Sequence, residues 1–178
     1  LVDEPVSIMV LKRVAADHEW LHNHTPPMRP KPPTGKNVIC VGAGPAGLTT
    51  AYYLALEGHK VKIIDMLHEP GGTVAVGIPD YRMPRDLLQR EADVISALGV
   101  EIEYGVKLGR DVSLRELKEQ YDAVFLGTGA FKSKPMGVEG EDQGYDGFSE
   151  GGIHYLRKVA LGEPIETPPR VVVVGGGN

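Results

Sequence analysis

The sequence predicts an α/β fold in which helices cover a mainly parallel sheet. Three observations predict it. From Lys36 onward, short apolar runs alternate with helical segments, the rhythm of strand–helix–strand units. The run Val38-Ile39-Cys40-Val41 is wholly apolar, as expected of a strand covered on both faces. Gly42, Gly44 and Gly47 follow that run and precede a helical stretch.

The elements follow in order. Asp3 as N-cap and Pro5 in the first turn predict a helix start, and the spacing of Val6, Met9, Val10 and Val14 carries it to about Leu21. Pro26, Pro27, Pro30, Pro32 and Pro33 predict an extended, semi-rigid linker. Strands are expected at Val38–Val41, Lys60–Asp65, Val100–Tyr104, Asp122–Leu126 and Val171–Val174. Helices are expected from Ala46 to Glu57 with Gly58 closing it, and from Pro84 to Leu98 with Gly99 after it. Ser113 and Glu116 form a capping box for a helix to Gln120, and Gly152 to Ala160 reads as a last helix. The domain expectation is a helix over 1–24, a linker over 25–35, a dinucleotide domain over 36–170 and the start of a second one over 171–178.

Composition bounds the function. A chain of 178 residues is about one domain, large enough for its own core. Its 23 glycines and 14 prolines fall short of a low-complexity composition, so the glycines serve turns and close backbone approaches. A net charge of −5 offers no basic surface for nucleic acid or an anionic membrane. Val38–Leu56 carries no charge, but its glycines and Pro45 break it as a membrane span. Cys40, the sole cysteine, excludes a disulfide framework and points to a reducing cytoplasm. The chain opens on Leu1 rather than Met, which reads as a piece of a larger protein.

Gly42-Ala43-Gly44-Pro45-Ala46-Gly47 is a G-x-G-x-x-G between a strand and a helix, and Asp65 ends the next strand. In that setting Gly42 permits the tight turn, Gly44 lets the backbone approach a pyrophosphate, and Gly47 lets helix and strand pack closely. The helix N-terminus favours phosphate, and Asp65 accepts a ribose hydroxyl. Asp65, five residues, and Gly71-Gly72 together resemble the FAD signature of the glutathione-reductase superfamily. Gly127-Thr128-Gly129-Ala130 resembles its second flavin motif.

Gly77-Ile78-Pro79-Asp80-Tyr81-Arg82-Met83-Pro84 narrows the resemblance to the small subunit of bacterial glutamate synthase and the flavin half of dihydropyrimidine dehydrogenase. Glu4-Pro5-Val6 with Arg13 and Asp17, Gly140-Glu141-Asp142, and the closing Val-Val-Val-Val-Gly-Gly-Gly-Asn are similar to further landmarks of that family. Asp65 departs from it, since Glu is usual there.

The resemblance implies an FAD-type Rossmann-like fold that passes electrons between NAD(P)H, FAD and iron–sulfur clusters. It implies that Arg82 lies beside the flavin, with Thr73 and Gly77 along its path and Leu108 near the adenosine. It places the clusters and the nicotinamide-binding module outside this chain, with a larger partner subunit. No acid–base residue is named, because the chemistry belongs to the cofactor. The alternative within the class is a thioredoxin-reductase-like or ferredoxin-reductase-like flavoprotein, and the Gly77–Pro84 element argues against both. A flavin-free scaffold remnant of such a subunit is the alternative in another class.

A rival motif is His18-Glu19-Trp20-Leu21-His22, an H-E-x-x-H. A third ligand is not evident, and His24 is too near His22 to serve comfortably. The motif reads instead as a solvated helix end, where histidines are favourable. Tyr52 and Tyr53 are expected to pack, Cys40 to be an inert core thiol, and Glu91 and Asp93 to face water.

Overall fold

The computed structural model describes residues 5–22, 28–141, 151–166 and 169–176. Asp3, His24, Pro26, Pro27, Asp142, Gly177 and Asn178 lie outside the described residues. Among the described residues, ten elements run α1 (Ile8–His22), β1 (Asn37–Val41), α2 (Pro45–Leu56), β2 (Lys60–Asp65), α3 (Thr73–Gly77), α4 (Arg85–Ser96), β3 (Glu101–Tyr104), α5 (Leu114–Gln120), β4 (Ala123–Leu126) and α6 (Gly152–Ala160). The four strands form one parallel sheet in the order β3-β2-β1-β4.

Side chains that alternate along β1 explain the layering. Cys40 points with Val61 and Ile63 toward Leu48, Ala51 and Ala55 of α2 and toward Ala92 and Ile95 of α4. Ile39, Val41 and Ile64 point the other way, toward Leu117 of α5. Ile39 and Ile63 are fully buried, each stabilising the fold by about 1.5–3 kcal/mol. A continuous apolar run therefore marks β1 because both its faces are covered.

Local chemistry closes the elements. Ser113 accepts the Glu116 N–H while the Glu116 carboxylate accepts the Ser113 N–H, so the predicted capping box is formed. Gly58 and Gly99 take positive φ at the ends of α2 and α4. The described part of the proline segment, from residue 28, is docked on the end of α2. Lys31 N–H donates to Leu56 O at 2.8 Å and Thr34 N–H to Gly58 O at 2.9 Å, which satisfies carbonyls at the end of α2. Asp122 accepts Asn37 N–H at 2.8 Å and so ties the start of β4 to the start of β1.

Two expectations need correction, and one helix has no counterpart among them. Pro5–Ser7 are not helical; α1 begins at Ile8, with Leu11 N–H donating to Ser7 O at 3.1 Å. Val171–Val174 form no strand and are all exposed, because strand form requires a hydrogen-bonded neighbour and none lies beside them among the described residues. The helix α3 was not expected, since Thr73, Val74 and Val76 are β-branched and favour strands in isolation. Burial of Ala75 and Val76 in a small cluster with Leu67 overrides that preference.

Candidate functional site

The carboxyl ends of the parallel strands all open on one side of the sheet. A cleft of about 460 Å³ lies there. Val41 ends β1, Ile64 and Asp65 end β2, Leu126 ends β4, and Val106 to Leu108 follow β3; all line it. This is the edge at which open α/β sheets hold ligands.

The glycine loop forms the floor. Gly42 has φ +112°, and a Cβ there would collide with the carbonyl of Gly127. A Cβ on Gly47 would collide with the carbonyl of Gly42. Both glycines are thus demanded by the protein itself, Gly42 by its turn and Gly47 by close helix–strand packing. Gly44 differs. Its φ is −77° and its ψ 179°, open to any residue, and an added Cβ would meet nothing nearer than Gly72 Cα at 3.8 Å. Neither backbone nor packing requires glycine there, yet Gly44 lines the cleft.

Gly44 caps α2 without a side-chain oxygen, Pro45 occupies the first turn, and no acid lies in that turn. The first N–H groups of α2 therefore lack intrahelical acceptors, and no acid of its own first turn opposes its positive end. Pro45 and Ala46 line the cleft beside Gly44, whereas Ala43 is wholly buried beneath the loop.

Gly71 and Gly72 lie against this loop. Gly71 N–H donates to Ala43 O at 2.8 Å, and a Cβ on Gly72, which has φ +55°, would press on Gly44 Cα at 3.0 Å. The pair lets two backbone segments touch, which side chains would prevent. Thr73, the next residue, is exposed on the cleft wall.

Asp65 is buried, and both of its oxygens are engaged. Oδ2 accepts Ala43 N–H at 2.6 Å and Oδ1 accepts Leu67 N–H at 2.7 Å. Each carboxylate oxygen accepts two hydrogen bonds, so capacity for a ribose hydroxyl remains. The shorter acid is thus a strand-end clamp as well as a candidate ligand group.

Leu108, Thr128 and Gly129 line the same cleft. Gly77 and Arg82 do not. Gly77 faces α6, where an added Cβ would lie 2.7 Å from Ile153 Cδ1, and Arg82 is exposed between α3 and α4. Sequence reasoning missed Met66, Val106, Lys107, Leu126 and Phe131 as lining residues. Met66 and Lys107 adjoin residues that it did select, so proximity to Asp65 and Leu108 was the available signal.

The rival motif gives stacked rings, with centroids of His18 and His22 4.2 Å apart on an exposed helix end. His22 Nδ1–H donates to His18 O at 2.8 Å. Among the described residues, no group of three or more His, Cys, Asp or Glu is placed to hold a metal ion. Cys40 is fully buried, and burial pushes its thiol up to about 11. Tyr52 is partly buried, while Tyr53 is 62% exposed and so packs less than expected. Glu91 and Asp93 are exposed.

A parallel sheet, a strand–glycine loop–helix turn and a strand-end acid define a dinucleotide-binding domain of the Rossmann-like class. Residues 36–178 match the family described as pyridine nucleotide-disulphide oxidoreductase, and the chain belongs to that family.

Among its relatives, the NADPH-Fe(3+) oxidoreductase subunit beta of Geobacter sulfurreducens is 60% identical, over 99% of this chain and 27% of that protein. The NADP(+)-dependent formate dehydrogenase subunit beta of Moorella thermoacetica is 44% identical, over 99% of this chain and 28% of that protein. The glutamate synthase [NADPH] small chain of Escherichia coli is 34% identical, over 97% of this chain and 38% of that protein. The chain thus spans roughly a quarter to two fifths of these relatives. Among solved structures, Mycobacterium tuberculosis FprA in complex with NADPH is similar with a TM-score of 0.54 and 26% identity, over 63% of this chain and 26% of that one.

Proposed function

We propose that the chain supplies the FAD-binding portion of an NAD(P)H-dependent oxidoreductase of the glutamate synthase small-subunit type. One observation carries this reading: Gly44 is glycine where neither its backbone angles nor its protein neighbours require it, beside an uncapped helix N-terminus. A phosphate held against the loop is the reason that remains.

The remaining residues fit the same ligand. Asp65, with lone pairs to spare beside Leu108, would take the adenosine ribose. Gly42, Ala43, Gly44, Pro45, Ala46 and Gly47 would shape the floor under the pyrophosphate. Gly71, Gly72, Thr73, Thr128 and Gly129 would flank the chain toward the ring. Gly77 and Arg82 lie farther from the cleft and would act only on the distal, ring-bearing end.

When bound, FAD supplies hydride acceptance and one-electron release; the chain's own residues bind it, orient it and exclude water. The names of the relatives favour NADPH as the reductant and support a subunit within a larger assembly. We place iron–sulfur clusters, the nicotinamide module and a larger partner subunit outside these residues, and the protein in the cytoplasm. No helix among the described residues is long and apolar enough to cross a membrane.

The test is the visible spectrum of the purified protein after addition of FAD and desalting. A retained flavin band that Gly44→Val abolishes supports the reading. Failure of the unaltered protein to retain or titrate FAD would sink it and favour the scaffold alternative.

A further inference from the structure

The wall that faces Gly44 is built from segments with little structure of their own. Gly71-Gly72 carries no side chain to anchor it, α3 has five residues, and an irregular turn joins α3 to α4. So short a helix ends in carbonyls without intrahelical donors.

Arg85, the first residue of α4, turns its guanidinium back onto this region. Nη2 donates to Ile78 O at 3.0 Å and pairs with Asp80 Oδ1 at 2.7 Å. Nη1 lies 3.4 Å from Val74 O and 3.5 Å from Met83 O, and Nε lies 4.0 Å from Glu69 Oε1. The Arg85 side chain is only 22% exposed, so water screens its contacts to the carbonyls less than it screens a surface ion pair, whereas Asp80 is 74% exposed and its pair with Arg85 contributes little. One planar fork therefore reaches from just before the glycine pair, across α3, to the start of α4. Arg82, three residues earlier, is exposed and lies outside the cleft wall.

We propose that Arg85 is a positioning residue of the cofactor site. It touches no cleft atom itself. It holds α3, and through it Gly72 and Thr73, at the distance from Gly44 that the cofactor needs. The proposal rests on the reading of the cleft as an FAD site.

The experiment uses the purified protein, stripped of flavin and titrated with FAD, as wild type, Arg85→Ala, Arg85→Lys and Asp80→Asn. It records FAD affinity, the visible circular dichroism of bound flavin, and the Tm of the flavin-free form. Arg85→Ala is expected to weaken FAD by about 10-fold or more and to change the flavin dichroism. Arg85→Lys should remain weakened, because an ammonium keeps the charge but not the fork. Asp80→Asn should lose less, in the same direction.

Variants with a lowered Tm but unchanged FAD affinity and dichroism would overturn the proposal and leave Arg85 a stabilising residue only. If Arg85→Ala does not fold, Arg85→Lys decides: unchanged affinity and dichroism there overturn the proposal. Wild type that binds no FAD overturns the cleft reading, and this proposal with it; wild type and variants that bind alike overturn this proposal alone.

Discussion

The carboxylate of Asp65 accepts the backbone N–H of Ala43 at 2.6 Å, so the end of β2 grips the glycine loop at the end of β1. Its other oxygen holds Leu67 N–H, which fixes the chain as it leaves the sheet. An acid at a strand end therefore has a structural duty even before a ligand arrives. Asp65→Asn sets an amide NH2 against one of these N–H donors. We expect it to destabilise the flavin-free protein by about 1–3 kcal/mol in urea denaturation and to weaken FAD as well. A loss of FAD affinity at unchanged stability would mean that the clamp contributes nothing.

Gly44 and Gly47 should separate binding from folding. Gly44→Ala has room and permitted backbone angles, so the flavin-free stability should stay within about 0.5 kcal/mol while FAD affinity falls. Gly47→Ala drives its methyl into the Gly42 carbonyl and should cost about 3 kcal/mol or prevent folding. Denaturation midpoints beside FAD titrations distinguish the two, and equal stability losses would refute the contrast.

Cys40 gives a pH signature. Burial raises its thiol to about 11, above the ordinary thiol value of about 8.5. Between those values the unfolded chain releases a proton that the folded chain keeps. Stability from this group is thus full below about pH 8.5 and declines as pH rises toward about 11. Cys40→Ser should flatten that alkaline decline. In the native protein, a thiol reagent at pH 8 should label Cys40 only as fast as the chain unfolds; immediate labelling would contradict the burial.

Trp20 reports on α1. The Arg90 guanidinium of α4 lies 3.6 Å from the centroid of its ring. Since Trp20 is the sole tryptophan, its emission measures this contact directly. Arg90→Ala should shift the emission to the red and speed proteolysis within α1, because a cation over an exposed ring contributes about 0.5–1 kcal/mol. An unchanged spectrum would show that α1 is held by other contacts.

Much of this protein follows from its sequence because the forces concerned are local. The β1 run, the Ser113–Glu116 box and the glycines that follow α2 and α4 each express chemistry that acts within a few residues. The glycine loop and Asp65 could be read together because their spacing is set by one strand–helix–strand unit. Tertiary packing decided the rest. It made a helix of Thr73–Gly77 by burying Ala75 and Val76, against β-branched preference. It left Val171–Val174 without a strand partner among the described residues, since an apolar run cannot supply its own neighbour. It also drew Arg85 into the carbonyls behind the cleft. The sequence determined which residues the loop and strand ends carry; which surfaces meet across them depends on contacts distant in the chain, and only the packed structure holds that information.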